Sequence, residues 1–248
     1  MLERNSIYLG DSYELIKEIP DKSIDLIVID PPYQIDGKPK SKEALENTKN
    51  EITKGINKLN QELMDNHICD GIKEEIFEEF MRAMKVPNIY IWCNRKQIPM
   101  YLNYFVNKLH LNFEILVWNK PNVMPLYNHQ YLNDVEYCPY FRGANVCNPK
   151  CYDDARTVFK NPTNKIDKFA FHHPTCKPVN IIEKLIKNSS KENDLVLDCF
   201  LGSGTTAVAC KNLNRDYIGI EINPKWYKIA LDRLDGCDAN GQQSFILR

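Results

Sequence analysis

The sequence contains no run of roughly eighteen apolar residues, so no membrane-spanning helix organises it. Its first residues, Met1-Leu-Glu-Arg-Asn-Ser, lack the basic-then-apolar order of an export signal. Without export, the nine cysteines are expected to stay reduced in a cytoplasm. No tight Cys-x-x-Cys knuckle occurs either. The loose set Cys138, Cys147, Cys151, His172, His173 and Cys176 therefore reads as scattered side chains, and no metal is expected. An excess of charge of one sign is also missing, since the net charge is −1. Global charge thus neither demands nor excludes a polyanionic partner, and any nucleic-acid footprint must be local. What is present is 248 residues, 43% of them hydrophobic. That suffices for one large domain with a full core, or a domain carrying a substantial insertion.

The most informative stretch is Ser23-Ile-Asp-Leu-Ile-Val-Ile-Asp30-Pro-Pro-Tyr33. Its β-branched run reads as a buried strand of an α/β sheet. Pro31 and Pro32 cannot extend a ladder and fix φ, so the chain must leave the sheet along a stiff path. Asp30 and Tyr33 are thereby held at the carboxyl end of a strand, where open α/β sheets keep their sites. The blander reading is a strand that merely stops at a Pro-Pro turn.

Upstream, Ile7-Tyr8-Leu9 reads as a short strand, and Leu15, Ile16 and Ile19 have helical spacing. Strand, helix and strand make a βαβ unit, which implies a parallel sheet. Asp11 ends the first strand, placed either to contact a ligand or to cap the helix. The span 34–75 is polar and lysine-rich, with a weak amphipathic pattern at Ile52, Ile56, Leu59 and Leu63. It is either a flap that orders on substrate or a solvated connector. Ile76–Met84 predicts a helix, Asn88–Cys93 a strand, Gln97–Leu109 a helix and Phe113–Trp118 a strand. Val135–Phe141 alternates and is expected as an edge or antiparallel strand, because Pro139 suits a central strand poorly. Arg142–Lys177 shows no periodicity but is locally basic with interleaved aromatics, either a nucleic-acid surface or a solvated excursion. Lys177–Ile186 predicts a helix with Pro178 near its first turn. A helix is also expected from Pro224 to about Leu234, followed by a polar tail from Gly236 that packs little before Phe245.

The second informative stretch is Asp194-Leu-Val-Leu-Asp198-Cys-Phe200-Leu-Gly202-Ser-Gly204-Thr-Thr206, followed by an apolar helix and the strand Tyr217-Ile-Gly-Ile-Glu221. Strand, glycine turn, helix, strand and acid form the layout of a ribose-bearing cofactor site. Gly202 and Gly204 let the backbone approach a ligand or adopt positive φ. Glu221 is placed to accept from ribose hydroxyls. The dinucleotide version wants a third glycine where Ala207 stands, which leaves that reading open.

Asp30-Pro-Pro-Tyr33 followed by Asp198-x-Phe200-x-Gly202-x-Gly204-Thr-Thr resembles the S-adenosylmethionine-dependent DNA amino-methyltransferases. His173-Pro-Thr-Cys-Lys-Pro178 looks like the segment preceding the cofactor loop in that family. The order, catalytic tetrapeptide first and cofactor loop last, is similar to its β group, and the resemblance runs from Tyr8 to Leu234. It implies a permuted Rossmann-like α/β fold with a mostly parallel seven-stranded sheet and helices on both faces. The strand ending at Asp198 would be central, flanked by those ending at Asp30 and Glu221. Residues 1–33, 76–121 and 173–235 would form the catalytic core, with 34–75 inserted and 122–172 recognising the target.

The resemblance also implies site roles. Asp30, Pro31, Pro32 and Tyr33 would be catalytic. Asp198, Phe200, Gly202, Ser203, Gly204, Thr205, Thr206, Glu221 and Asn223 would hold S-adenosylmethionine, with Asp11, Asp30, Thr175 and Lys177 completing the pocket. Asp30 and the Pro31 carbonyl would accept from the target amino group, and Tyr33 would stack on a flipped base. Asp at the head of the tetrapeptide usually accompanies adenine N6 in that family, and Ser accompanies cytosine N4, so adenine is expected. Ring-carbon methylation is not expected, because its Pro-Cys dipeptide is absent. Lys120, Arg142, Arg156 and Lys160 are the expected contacts to double-stranded DNA. The setting implied is a prokaryotic or phage-infected bacterial cytoplasm, with no membrane partner. A homodimer and a companion restriction endonuclease stay open. Three other readings compete. A silent cofactor-binding module would not need Asp30 and Tyr33. The release-factor glutamine methyltransferases place Asn-Pro-Pro-Tyr after the cofactor loop. A nicotinamide oxidoreductase explains only the glycine turn.

Overall fold

A computed structural model describes residues 1–34, 71–123, 129, 131–171 and 175–240. Most of the expected polar flap (35–70), His172–Pro174 and the tail beyond Asn240 lie outside the described residues. The strands are β1 (Ser6–Leu9), β2 (Leu26–Ile29), β3 (Asn88–Ile91), β4 (Asn112–Asn119), β5 (Val135–Arg142), β6 (Val158–Lys160), β7 (Leu195–Asp198) and β8 (Asp216–Glu221). They form one sheet in the order β1-β8-β7-β2-β3-β5-β4-β6. All neighbours run parallel except at β5, which is antiparallel to both β3 and β4. The helices are α1 (Ser12–Leu15), α2 (Glu75–Ala83), α3 (Ile98–Tyr101), α4 (Lys165–Ala170), α5 (Val179–Ser189), α6 (Thr205–Asn212) and α7 (Pro224–Leu234). Among the described residues no helix is long and apolar enough to cross a membrane.

β2, β3 and β7 are buried along their whole length because both faces of the sheet are covered there. Along β2, Ile27 and Ile29 join one core with Phe77 and Phe80 of α2, while Leu26 and Val28 join another with Ile181, Ile182 and Leu185 of α5. Every β2 residue is buried, and each buried Ile contributes about 1.5–3 kcal/mol of apolar transfer. In α2, Ile76, Phe77, Phe80 and Ala83 follow the helical repeat. Its acids Glu75 and Glu78 lie in the first turn and Arg82 in the last, which suits the helix dipole. At α7, Asn223 accepts from the Lys225 amide and Pro224 occupies the first turn, so this helix begins where cap and proline agree.

Several sequence expectations change. The expected seven strands are eight among the described residues. The additional one, β6, is only three residues long and pairs at the sheet edge with β4. So short an edge strand leaves no period to read, and α4 was hidden in the same aperiodic stretch. The helix expected over Gln97–Leu109 starts as α3 and widens into a π-helix over Leu102–Lys108. There Tyr101, Tyr104 and Phe105 crowd around Phe77. β5 is antiparallel as expected but is interior rather than an edge. Pro139 is tolerated because the ladder to β3 is interrupted between Tyr90 and the isolated Cys93–Tyr137 bridge. β1 and β2 belong to one parallel sheet but are not neighbours, since β8 and β7 lie between them. The Asp198 strand is flanked by the strands leading to Asp30 and Glu221, as expected.

Gly219 of β8 leaves no room for a side chain, because an added Cβ would lie 2.6 Å from Leu201 Cδ2. Gly219→Ala should therefore destabilise the fold by about 1–3 kcal/mol, the usual cost of overpacking. Adding Leu201→Ala should make the double variant less destabilised than the sum of the single ones in urea unfolding. Strict additivity would show that the two residues do not compete for this space.

Candidate active site

The carboxyl ends of β2, β7 and β8 adjoin, and a cavity of about 300 Å³ opens above them. Its walls include Asp11, Asp30, Pro32, Thr175, Lys177, Asp198, Phe200, Gly202, Ser203, Thr205, Thr206 and Glu221. The cavity thus gathers most of the site residues expected from sequence. Gly204 and Asn223 support it from behind, and Tyr33 turns toward β5.

The glycine turn is built by hydrogen bonds converging on two acids. Asp198 Oδ1 accepts from the Phe200 amide at 2.9 Å. Both oxygens of Glu221 accept from backbone, from Gly202 N and from Asn223 N, each at 2.7 Å. Gly204 has φ of 84°, and an added Cβ would meet Ala230 of α7 at 3.1 Å, so conformation and space both require glycine. Beneath the turn, Arg233 of α7 is almost wholly buried. Its guanidinium donates to Ser203 O and Thr205 Oγ1 at 3.2 and 3.0 Å and pairs with Asp167 of α4 at 3.0 Å. Asp11 caps α1 by accepting from Tyr13 N and also lines the cavity.

At the end of β2, Asp30 Oδ2 is paired with the Lys177 ammonium. Asp30 Oδ1 is buried and has no hydrogen-bond partner among the described residues. The Lys177 ammonium also lies 3.2 Å from Glu136 Oε2 and donates to Tyr33 Oη at 3.2 Å. Tyr33 Oη in turn donates to Glu136 Oε2 at 3.0 Å, and Lys120 donates to Glu136 Oε1 at 2.8 Å. Two cations and two carboxylates thus share one poorly hydrated space. Burial raises the Asp30 carboxyl against the opposing pull of Lys177. Burial acts the same way on Glu136, but Lys177 and Lys120 outweigh it and hold that carboxyl at about 2. The proline path is clamped from β3's end, where Gln97 Nε2 donates to Pro32 O at 3.0 Å.

Glu136, Gln97 and Arg233 were not singled out from sequence. Two carried a signal: Glu136 falls on the face of β5 that also carries Cys138 and Tyr140, and Arg233 completes the buried stripe Trp226, Ile229, Ala230. A charged residue in a core register asks for a buried partner. Of the expected DNA contacts, Lys160 ends β6 on the same rim of the sheet as Asp30. Arg156 precedes β6, beside Asp153. Lys120 is mostly buried against Glu136, and Arg142 lies at the opposite end of β5, paired with Glu114.

Comparison with known proteins agrees with this geometry. Residues 24–232 match the N6/N4 methyltransferase model described as DNA methylase. The type II methyltransferase M2.LlaDCHI of Lactococcus lactis subsp. cremoris is 30% identical, over 91% of this chain and 87% of its own. The type II methyltransferase M.HinfI of Haemophilus influenzae is 31% identical, over 93% and 68%. The crystal structure of an M1.HpyAVI–SAM complex superposes with a TM-score of 0.65 at 25% identity, covering 92% of this chain and 98% of that one. PvuII DNA methyltransferase, cytosine-N4-specific, shares the fold at a TM-score of 0.66 and 16% identity, over 93% and 86%. The fold and matches define a class, the enzymes that methylate exocyclic amino groups of DNA bases. The chain belongs to the N6/N4 DNA methylase family.

Burial pushes the Asp198 carboxyl up to about 7, against hydrogen bonds from Thr206 and the Phe200 amide. The folded chain then keeps a proton that the unfolded chain releases near pH 4, so stability falls as pH rises through the interval up to about 7. Asp198→Asn should flatten this slope in the unliganded protein and gain on the order of a few kcal/mol at pH 8 relative to pH 5. Melting temperatures of both proteins across that range test it. Parallel pH profiles would remove Asp198 as the source.

Proposed function

We propose that the protein is a site-specific DNA adenine-N6 methyltransferase that takes its methyl group from S-adenosylmethionine. The observation that carries the reading is the buried, unpartnered Asp30 Oδ1 at the mouth of the β2 strand. An orphaned carboxylate oxygen costs free energy unless a ligand satisfies it. Pro31 O lies one residue further along the rigid turn. Two fixed acceptors side by side suit the two hydrogens of an exocyclic amino group.

The cavity fits the donor. Its four acids, Asp11, Asp30, Asp198 and Glu221, outnumber its two lysines, Lys73 and Lys177, while Phe200, Ile222 and Trp226 give it apolar wall. A cationic, nucleoside-bearing molecule matches that combination, and Glu221 at the end of β8 is the group to receive its ribose hydroxyls. Bound there, S-adenosylmethionine supplies an electrophilic methyl on a positively charged sulfur.

The lone pair of an aromatic amine is delocalised into its ring, which makes the amine a poor nucleophile. Asp30 Oδ1 and Pro31 O would draw the amino nitrogen toward tetrahedral geometry and free that lone pair. Asp30 would then stabilise the charge that develops as the N–C bond forms and the S–C bond breaks, and the departing proton leaves through it or to solvent. No side chain forms a covalent bond to the base. Lys177 fixes the other Asp30 oxygen, so the carboxylate need not reorient. The amino group is inaccessible in a duplex, so the base must leave the stack, and the Tyr33 ring offers it an aromatic surface. The Asp at position 30 supports adenine rather than cytosine, following the family usage described above. Target recognition is assigned to the loops of 122–172, with Lys160 the best placed of the basic residues.

Nucleoside mass spectrometry of unmethylated DNA incubated with the protein and labelled S-adenosylmethionine tests the reading. We expect labelled N6-methyl-2′-deoxyadenosine, reduced at least about a hundredfold by Asp30→Ala. N4-methylcytosine in its place would keep the chemistry and overturn the base assignment. Full activity of Asp30→Ala would overturn the role of the carboxylate.

A further inference from the structure

Glu136 has no part in the chemistry just described, yet it is buried beside it. It stands on β5, a strand antiparallel to its neighbours, and reaches Lys177, Tyr33 and Lys120. Asp30 and Glu136 are joined through one ammonium, and the negative charge of Glu136 opposes the pull of Lys177 on Asp30. Lys120, 12% exposed, holds the far oxygen of Glu136 and limits how strongly Glu136 competes. We propose that Glu136 is a positioning residue for methyl transfer, which with Lys120 apportions the Lys177 ammonium and so sets the charge and placement of Asp30.

The physical reason lies in what Asp30 must do. A carboxylate fully neutralised by a buried lysine is a weak acceptor, and one left alone in a buried site takes up a proton and becomes a weaker acceptor still. Sharing the lysine with a second carboxylate places Asp30 between these limits. Oδ2 stays tied while Oδ1 remains available. Tyr33 is held by the same two groups, so the aromatic surface and the acceptor move together. The other titratable groups felt around Asp30 are Cys93 after β3, Tyr101 of α3, Cys138 of β5 and Asp198 of β7. All four are acids that burial holds toward the neutral form, and none can supply a competing cation.

The inference rests on the methyltransferase reading, and the test separates the two. Glu136→Gln removes the competing carboxylate, so Lys177 acts on Asp30 alone. The Asp30 midpoint should fall by about one pH unit. The acid limb of the methylation rate should move down with it, and the plateau rate should drop about tenfold as the acceptor weakens. Lys120→Met should act in the opposite direction, raising the Asp30 midpoint and the acid limb. Midpoints are read in the unliganded proteins by NMR of aspartate carboxyl carbons, with Asp30→Asn identifying the resonance. Rates are read with tritiated S-adenosylmethionine on unmethylated bacterial DNA. A purely structural Glu136 would lower stability in both variants and leave both midpoints in place, which overturns the proposal. Midpoints that move without the rates also overturn it. A wild-type protein that methylates no DNA defeats the functional reading instead, and the carboxyl titration still decides whether Glu136 governs Asp30.

Discussion

The Lys177 ammonium is the contact on which the rest of the site depends. It is buried and touches side chains from three segments: Asp30 after β2, Tyr33 in the proline turn and Glu136 on β5. Removing a charge from water costs several kcal/mol, so the arrangement is stable only while its partners stay in place. The constraint runs both ways. The proline path fixes where Asp30 can be, the start of α5 fixes Lys177, and neither can shift without stranding a charge.

The half of the site around the glycine turn is held differently. Glu221 and Asp198 spend their oxygens largely on the backbone of the glycine turn rather than on ions. Beneath the turn Arg233 ties Ser203 and Thr205 to Asp167. One half of the site is therefore fixed by paired charges, the other by hydrogen bonds that define a loop. The first can be tuned by neighbouring charge, whereas the second depends on shape, as the crowding of Gly204 against Ala230 shows.

The strands that carry the site were legible in the sequence because burial on both faces leaves unbroken β-branched runs, as in Leu26–Ile29. The prolines, the two glycines and the terminal acids marked the strand ends, since each imposes a backbone requirement. The three-residue β6 and the widening of the helix after Tyr101 left no such mark. Glu136 was readable only as an acid in an apolar register, a sign that it has a partner but not which one. Lys120 and Arg142 looked like free cations for DNA, because a sequence cannot show that Glu136 and Glu114 already claim them.

The strand order carries a consequence for how the protein comes into being. β1 and β2 are adjacent in sequence, yet two strands from the far end of the chain lie between them. Until β7 and β8 are synthesised, the first two strands present open edges facing a gap in the middle of the future sheet. Unpaired edges of that kind invite pairing with other chains, and contacts this distant in sequence form slowly. Asp30 and Lys177 are 147 residues apart, so their ion pair cannot form on a half-made chain. Synthesis and activity are thereby separated in time. A nascent or truncated copy carries the whole Asp-Pro-Pro-Tyr segment and still lacks the assembled site.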